Sequence, residues 1–261
     1  MSKPALSITS AANPRIKSIA ALAHKKHRQQ SGLFSVEGQQ LVGFGVEAGW
    51  PLHTLVLTDN TKHTAHIQSL QTAAQSTLIV PVHVMEKLTT KGNPQGVLGV
   101  FAQQPQPLPT QPNGVWVVLE QIRDPGNLGT IIRTADAAGA AGIILVGACT
   151  DVWAPECVRA TMGSIFHLPV IPATLEALLA WQTQTGIPLV GTHLKATQDF
   201  RKPLTQRPLA LCMGTEQSGM SEALTAACQH TVKIPMAGKA ESLNLAIATG
   251  LMLYQILYPA P

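Results

Sequence analysis

Val115-Trp-Val-Val-Leu-Glu-Gln-Ile-Arg-Asp-Pro-Gly-Asn-Leu-Gly-Thr-Ile-Ile-Arg133 sets the fold class of this chain. Its first five residues are apolar without alternation, which describes a strand covered on both faces. The turn Asp124-Pro-Gly126 follows, and the Ile- and Ala-rich stretch to about Ala138 is helical, with Asn127 placed to cap it. A strand buried on both faces that leads directly into a helix is the repeating unit of a parallel sheet.

Downstream, the unit recurs. Ile143 to Val146, His167 to Ile171, Leu189 to Gly191, Leu209 to Met213 and Val232 to Ile234 are strand-like runs with helical segments between them. The result is an α/β domain built on a mostly parallel sheet, an arrangement that places ligands beyond the carboxyl ends of the strands. Function is expected in the loops that follow them.

Upstream, Gln103-Gln-Pro-Gln-Pro-Leu-Pro-Thr-Gln-Pro112 carries four prolines and four glutamines in ten residues, which excludes both helix and ladder pairing and marks a stiff linker. Before it, a helix over Pro14 to about Gln29 precedes apolar runs at Leu33 to Val36, Leu55 to Thr58, Leu78 to Val82 and Val97 to Phe101, a small α/β domain. The expected organisation is therefore two domains: residues 1–102, a linker over 103–113, and residues 114–261.

Charge is unevenly shared between them. Residues 1–114 hold nine Lys/Arg against four Asp/Glu, and residues 115–261 hold nine against ten. Within the first 36 residues Lys3, Arg15, Lys17, Lys25, Lys26 and Arg28 meet no acidic residue, a pattern that suits a polyanion. A solvated helix face and an acid-poor transit peptide are the competing readings. No apolar run approaches the roughly 18 to 20 residues that cross a bilayer, so no membrane partner is expected. The four cysteines lack C-x-x-C spacing and read as free thiols of a reducing compartment. The nine histidines contain no H-E-x-x-H, and His63 with His66 lacks a third ligand, so no metal is expected.

Three motifs carry candidate chemistry. In Asn127-Leu-Gly-Thr-Ile-Ile-Arg133, a guanidinium on an otherwise apolar helix calls for an anionic partner, a ligand or Asp136. Gly214-Thr-Glu-Gln-Ser-Gly219 follows a strand and lets the backbone approach a ligand closely, although a plain strand-to-helix turn explains it equally. Ile234-Pro-Met-Ala-Gly238 leads to Glu241-Ser-Leu-Asn244 and a helix. There Ser242 is a natural cap, and Leu243, Ala246, Ile247, Gly250, Leu251 and Tyr254 fall on the stripe of a well-packed helix. Asn244, with mediocre helix propensity inside the first turn, is a candidate side chain for a cofactor or substrate.

In this order and spacing the motifs resemble the SpoU (TrmH-like) family of the SPOUT superfamily of RNA methyltransferases. Arg159-Ala-Thr-Met-Gly163 to Pro169 adds to the likeness, with Thr161 where that family commonly has Ser. Asn13-Pro-Arg-Ile-Lys17, the Lys25 to Arg28 cluster and Phe34-Ser-Val-Glu-Gly38 resemble its ribosomal-protein-like RNA-binding extension. The resemblance implies a C-terminal trefoil knot, a rare exception to unknotted chains, formed by the loops around Gly214 to Gly219 and Ile234 to Asn244. It also implies a cytoplasmic homodimer that moves a methyl group from S-adenosylmethionine to a ribose 2′-hydroxyl of structured RNA, ribosomal RNA ahead of transfer RNA. Asn127, Arg133, Glu216, Ser242 and Asn244 would carry catalysis. Thr192, Gly214, Gly219, Ile234, Met236 and Leu243 would contact the cofactor, and Arg15, Lys17, Lys25, Lys26 and Arg28 the RNA. A non-catalytic RNA-binding module is the main alternative, and saturable cofactor binding separates the two. A Rossmann-type enzyme would need a G-x-G-x-x-G after an early strand, which is missing.

Overall fold

The computed structural model describes residues 4–89, 95–202, 204, 206–215 and 217–259. They form two compact units, one of residues 1–104 with 153–166, the other of residues 105–152 with 167–261.

The first unit begins with β1 (Leu6–Ser7), α1 (Pro14–Ala21) and α2 (Lys25–Ser31). It continues through β2 (Leu33–Glu37), α3 (Gln39–Glu47), β3 (Leu52–Thr58), α4 (Ala65–Ala73), β4 (Ser76–Val80), α5 (Val82–Met85) and β5 (Val97–Ala102). The sheet order is β1-β4-β3-β5-β2, with β1, β4 and β3 mutually parallel and β5 antiparallel to both β3 and β2. Val56, Leu78, Leu98 and Val100 pack against Ile16 and Ile19 of α1.

A second core lies around Phe34, whose ring is 4.6 Å from Trp153, 6.0 Å from Trp50 and from Phe101, and 6.2 Å from Phe166. The chain has eleven aromatic residues (five Phe, four Trp and two Tyr), so five of them sit in this one cluster. Two of the five, Trp153 and Phe166, come from the far side of the linker, and Trp50 Nε1 donates to Phe166 O at 3.0 Å. Gly45 makes this packing possible, because a Cβ there would stand 2.7 Å from Cζ of both Phe101 and Phe166.

The expected single helix over Pro14 to Gln29 is two helices. α1 ends on the cap residue Leu22, and Arg28 of α2 folds back so that its Nη1 donates to Leu22 O at 2.7 Å and Ala23 O at 2.9 Å. Arg28 is only 3% exposed. Its charge satisfies carbonyls left open where α1 stops, which removes it from the expected RNA-facing set.

The second unit comprises β6 (Val115–Glu120), α6 (Pro125–Ala138), β7 (Gly142–Val146), β8 (Val170–Ala173), α8 (Leu175–Thr185), β9 (Leu189–Thr192), β10 (Gln198–Asp199), β11 (Leu209–Met213), α9 (Glu222–Ala227), β12 (His230–Lys233) and α10 (Leu245–Leu257). Between β7 and β8 the chain forms α7 (Pro155–Ala160), which belongs to the first unit. The seven strands, ordered β10-β12-β9-β11-β6-β7-β8, are all parallel. Every residue of β6, β7 and β11 is buried, as the unbroken apolar runs required.

Three strands moved from their expected places: Leu78 to Val82 became Ser76–Val80, His167 to Ile171 became Val170–Ala173, and Val232 to Ile234 became His230–Lys233. The two-residue strands β1 and β10 are too short to leave an apolar signature. The Pro/Gln segment has no regular structure but is anchored at both ends. Gln103 donates from its backbone to Gly32 O at 2.7 Å, and Pro109 O accepts from Trp181 Nε1 at 2.7 Å.

Arg28→Met keeps the side-chain bulk but leaves two carbonyls unpaired. It should lower the stability of the N-terminal unit by about 2 kcal/mol in urea unfolding, the scale for buried hydrogen bonds to a charged group. A change below about 0.5 kcal/mol would contradict the capping role.

Candidate active site

Two helix starts determine where the motif residues stand. Asp124, not Asn127, caps α6, its Oδ1 accepting from Asn127 N at 2.6 Å, with Pro125 in the first turn as its fixed φ favours. Asn127 therefore lies inside the helix rather than at its cap. Asn244, not Ser242, caps α10: its Oδ1 accepts from Ala246 N at 2.9 Å and Ile247 N at 3.3 Å. The other end of the same amide, Nδ2, donates to Asn127 Oδ1 at 3.0 Å. One side chain thus terminates a helix and joins the first motif to the third.

Arg133, on α6, is exposed and has no anionic partner among the described residues. Asp136 stands 3.8 Å from His167 Nδ1 instead. Glu216, expected to hold the loop or the arginine, lies outside the described residues.

The loops after β9, β11 and β12 enclose an open cavity of about 380 Å³, within the range of small-ligand sites. Thr192, Gly214, Gly219, Ile234, Met236, Ser242 and Leu243 all line it. These seven residues come from four separate chain segments. Asn127, Arg133 and Asn244 are not on its wall, although Asn244 directly follows Leu243. The exposed Arg15, Lys17, Lys25 and Lys26 belong to the other unit, on α1 and α2.

The glycine loop is held as a closed turn. Thr215 N donates to Gly219 O and Gly219 N to Thr215 O, both at 3.0 Å, and the Thr215 and Ser218 hydroxyls meet at 2.7 Å. Gly214 faces this closure so tightly that a Cβ would sit 2.0 Å from Gly219 C and 2.1 Å from Met220 N. Behind the loop, Glu120 at the end of β6 is 5% exposed, and its two oxygens accept from Ser221 N and Ser221 Oγ, each at 2.7 Å. Ser221 in turn caps α9. Glu120 therefore fixes where the loop re-enters the helix, a role that sequence reasoning missed. The available signal was a carboxylate ending a wholly apolar strand, which must be paired.

The cavity wall carries Lys195 and Lys233 and no carboxylate among the described lining residues. Beside Lys233, in register with it on β10, Asp199 is bonded by Arg201 through Nε at 2.9 Å and Nη2 at 2.7 Å. Those bonds hold its carboxyl at about 2, so it stays ionised through mildly acid conditions. Among the described residues no group of three or more His, Cys, Asp or Glu could hold a metal ion, and no helix is long and apolar enough to cross a membrane.

α10 corrects one further expectation. Its buried face is Leu245, Ala246, Thr249, Met252, Leu253 and Ile256, whereas Ile247, Leu251 and Tyr254, expected in the packed stripe, are exposed.

Gly214→Ala forces a methyl group into the Gly219–Met220 backbone. The expected cost is at least about 2 kcal/mol in the C-terminal unit, read by urea unfolding; a neutral result would mean that the loop is not closed in solution.

The family model described as the SpoU rRNA Methylase family matches residues 114–254, and that of the MRM3-like substrate binding domain matches residues 13–99. A 23S rRNA (uridine(2479)-2′-O)-methyltransferase of Streptomyces viridochromogenes is 34% identical over 90% of this chain and 86% of its own. A 23S rRNA (guanosine(2553)-2′-O)-methyltransferase of Bacillus subtilis is 28% identical over 95% and 98%. Among solved structures, an AdoMet-bound rRNA methyltransferase from Sinorhizobium meliloti superposes with a TM-score of 0.88 at 42% identity, covering 95% of this chain and 96% of that one. Sequence and fold agree over nearly the full length, and the chain belongs to the SpoU rRNA methylase family.

Proposed function

We propose that this protein methylates a ribose 2′-hydroxyl of RNA, with ribosomal RNA as the substrate, using S-adenosylmethionine. The observation that carries the reading is the cavity: seven residues named for cofactor contact or catalysis share one wall. Its chemistry fits the cofactor. Met213, Ile234, Met236, Leu243 and Leu245 offer an apolar slot, and the glycine loop brings backbone donors and acceptors to its edge. The relatives that methylate 23S rRNA at a 2′-oxygen point to the same reaction.

When bound, S-adenosylmethionine supplies a methyl group on a positively charged sulfur. In-line displacement at that methyl by the 2′-oxygen would break its bond to sulfur and release the neutral thioether, so the protein's main task is alignment. A guanidinium with a pKa above about 12 is a poor base. Arg133 instead stabilises negative charge growing on the 2′-oxygen and holds a neighbouring phosphate, which takes the proton. Asn127 and Asn244 orient the ribose, and Ser242 lines its approach. Arg15, Lys17, Lys25 and Lys26 draw the RNA by charge. We also read the loops after β11 and β12 as a trefoil knot, since β12 lies between β9 and β10 and its exit is from the sheet interior.

The protein acts as a homodimer in this reading. Ile247, Leu251 and Tyr254, spaced i, i+4 and i+7, are 56%, 43% and 49% exposed, a continuous apolar stripe on one side of α10. The four cysteines are free thiols, which suits the cytoplasm.

Labelled S-adenosylmethionine and total bacterial RNA, followed by nuclease digestion and mass spectrometry, should yield a 2′-O-methylated nucleotide; a label on a base would overturn the reaction class. Arg133→Ala should cut transfer by about a hundredfold and leave calorimetric cofactor affinity within about twofold. Near-normal transfer would refute the role of Arg133. Leu251→Glu should convert the dimer to monomer in sedimentation equilibrium, and an unchanged mass would remove α10 from the interface.

A further inference from the structure

The N-terminal unit holds a second large cavity, about 490 Å³, walled by α1, α2 and the ends of β2, β3 and β4. Its floor is apolar: Ile19, Leu22, Leu78 and Val100 are all buried there. Its mouth is polar, and the polar groups divide into two kinds. The Ser18 and Ser31 hydroxyls are spent on the backbone carbonyls of Arg15 and His27, at 2.9 and 2.7 Å. The guanidinium of Arg15, the imidazole of His27 and the amide of Gln30 have no hydrogen-bond partner among the described residues.

His53 is positioned rather than merely exposed. Its Nδ1 bonds Thr54 Oγ1 at 2.9 Å, that oxygen meets Ser76 Oγ at 3.1 Å, and Ser76 Oγ donates back to His53 O at 3.3 Å. The chain of bonds sets the ring and leaves Nε2 for another partner. Among the described residues no carboxylate lines the cavity, and Arg15 gives its mouth a positive charge.

An apolar floor, side chains that can both donate and accept, and a cationic mouth together describe a receptor for a planar, hydrogen-bonding, anionic group. We propose that this cleft receives one unstacked nucleotide of the RNA substrate, its base against Ile19, Leu22, Leu78 and Val100, its edge read by Gln30 and His53, and its phosphate at Arg15. RNA-binding proteins obtain sequence information chiefly from bases splayed out of loops and bulges, and a site on the unit that does not hold the cofactor cavity can select the RNA by a nucleotide other than the methylated one. The inference rests on the RNA methyltransferase reading above.

Binding of deproteinised bacterial 23S rRNA to the full-length protein tests it. Gln30→Ala/His53→Ala removes no Lys or Arg, so affinity should fall about tenfold while the slope of log affinity against log salt stays unchanged. Ser18→Phe, which fills the cleft from an exposed helix position, should weaken binding similarly. Cofactor affinity and the near-ultraviolet dichroism of Trp50 and Trp153 should match wild type in both variants. In the wild type, RNA should shield His27 and His53 from diethylpyrocarbonate and leave the exposed His63 and His83 reactive. RNA affinity within twofold of wild type in both variants, or unprotected His27 and His53, overturns the proposal; a cleft that serves a protein partner gives that result. A wild-type protein that binds cofactor but shows no salt-sensitive RNA binding overturns the RNA reading itself.

Discussion

The amide of Asn244 fixes two helix starts at once. Its oxygen takes the open N–H groups of Ala246 and Ile247, and its nitrogen reaches Asn127 Oδ1. Helix starts leave backbone donors unpaired, and a side chain that satisfies them sets the direction in which the helix leaves. Here that direction decides which face of α10 meets α6: Gly250 lies against Thr134, where an added Cβ would stand 3.3 Å from Cγ2. The bond also sets the position of Leu243 on the cavity wall one residue earlier. Aspartate at 244 would retain the cap and lose the donor, so stability and site geometry are separable at this position.

A comparable economy holds the glycine loop. Glu120 is buried at the end of β6, where a carboxylate without partners would be costly. Its two oxygens meet the backbone and hydroxyl of Ser221, which is itself the cap of α9. The loop from Gly214 to Gly219 is consequently pinned at its exit by a strand that contributes nothing to the cavity lining. A preformed backbone surface of this kind loses little conformational freedom when a ligand arrives.

Much of this was legible in the residues. Unbroken apolar runs such as Leu209 to Met213 have only one comfortable environment, a strand covered on both sides, and their spacing left the parallel sheet as the architecture. The cavity followed, because a parallel sheet presents its post-strand loops on one edge: Thr192 ends β9, and Gly214 and Ile234 open the loops after β11 and β12. Caps were harder. Asp124 and Asn127, like Ser242 and Asn244, are pairs of capable side chains within a few residues, and the choice between them depends on what each meets in three dimensions. For Asn244 the deciding partner is 117 residues away.

Charge and apolarity misled for related reasons. Arg28 belongs to a cationic cluster by composition, yet the break after α1 exposes carbonyls that only a long donor can reach, and the guanidinium is buried to reach them. α10 is apolar nearly all round, so periodicity could not say which side faces its own sheet; contact with α6 settles that and leaves Ile247, Leu251 and Tyr254 outward. Phe34 and Trp153 show the limit most clearly. Their rings are 4.6 Å apart but they are separated by more than a hundred residues and the proline linker, and no local pattern in either segment encodes the other. Packing of this kind is specified by shape and volume in the folded core. An insertion that returns to an earlier unit is therefore invisible to a reading that moves along the chain.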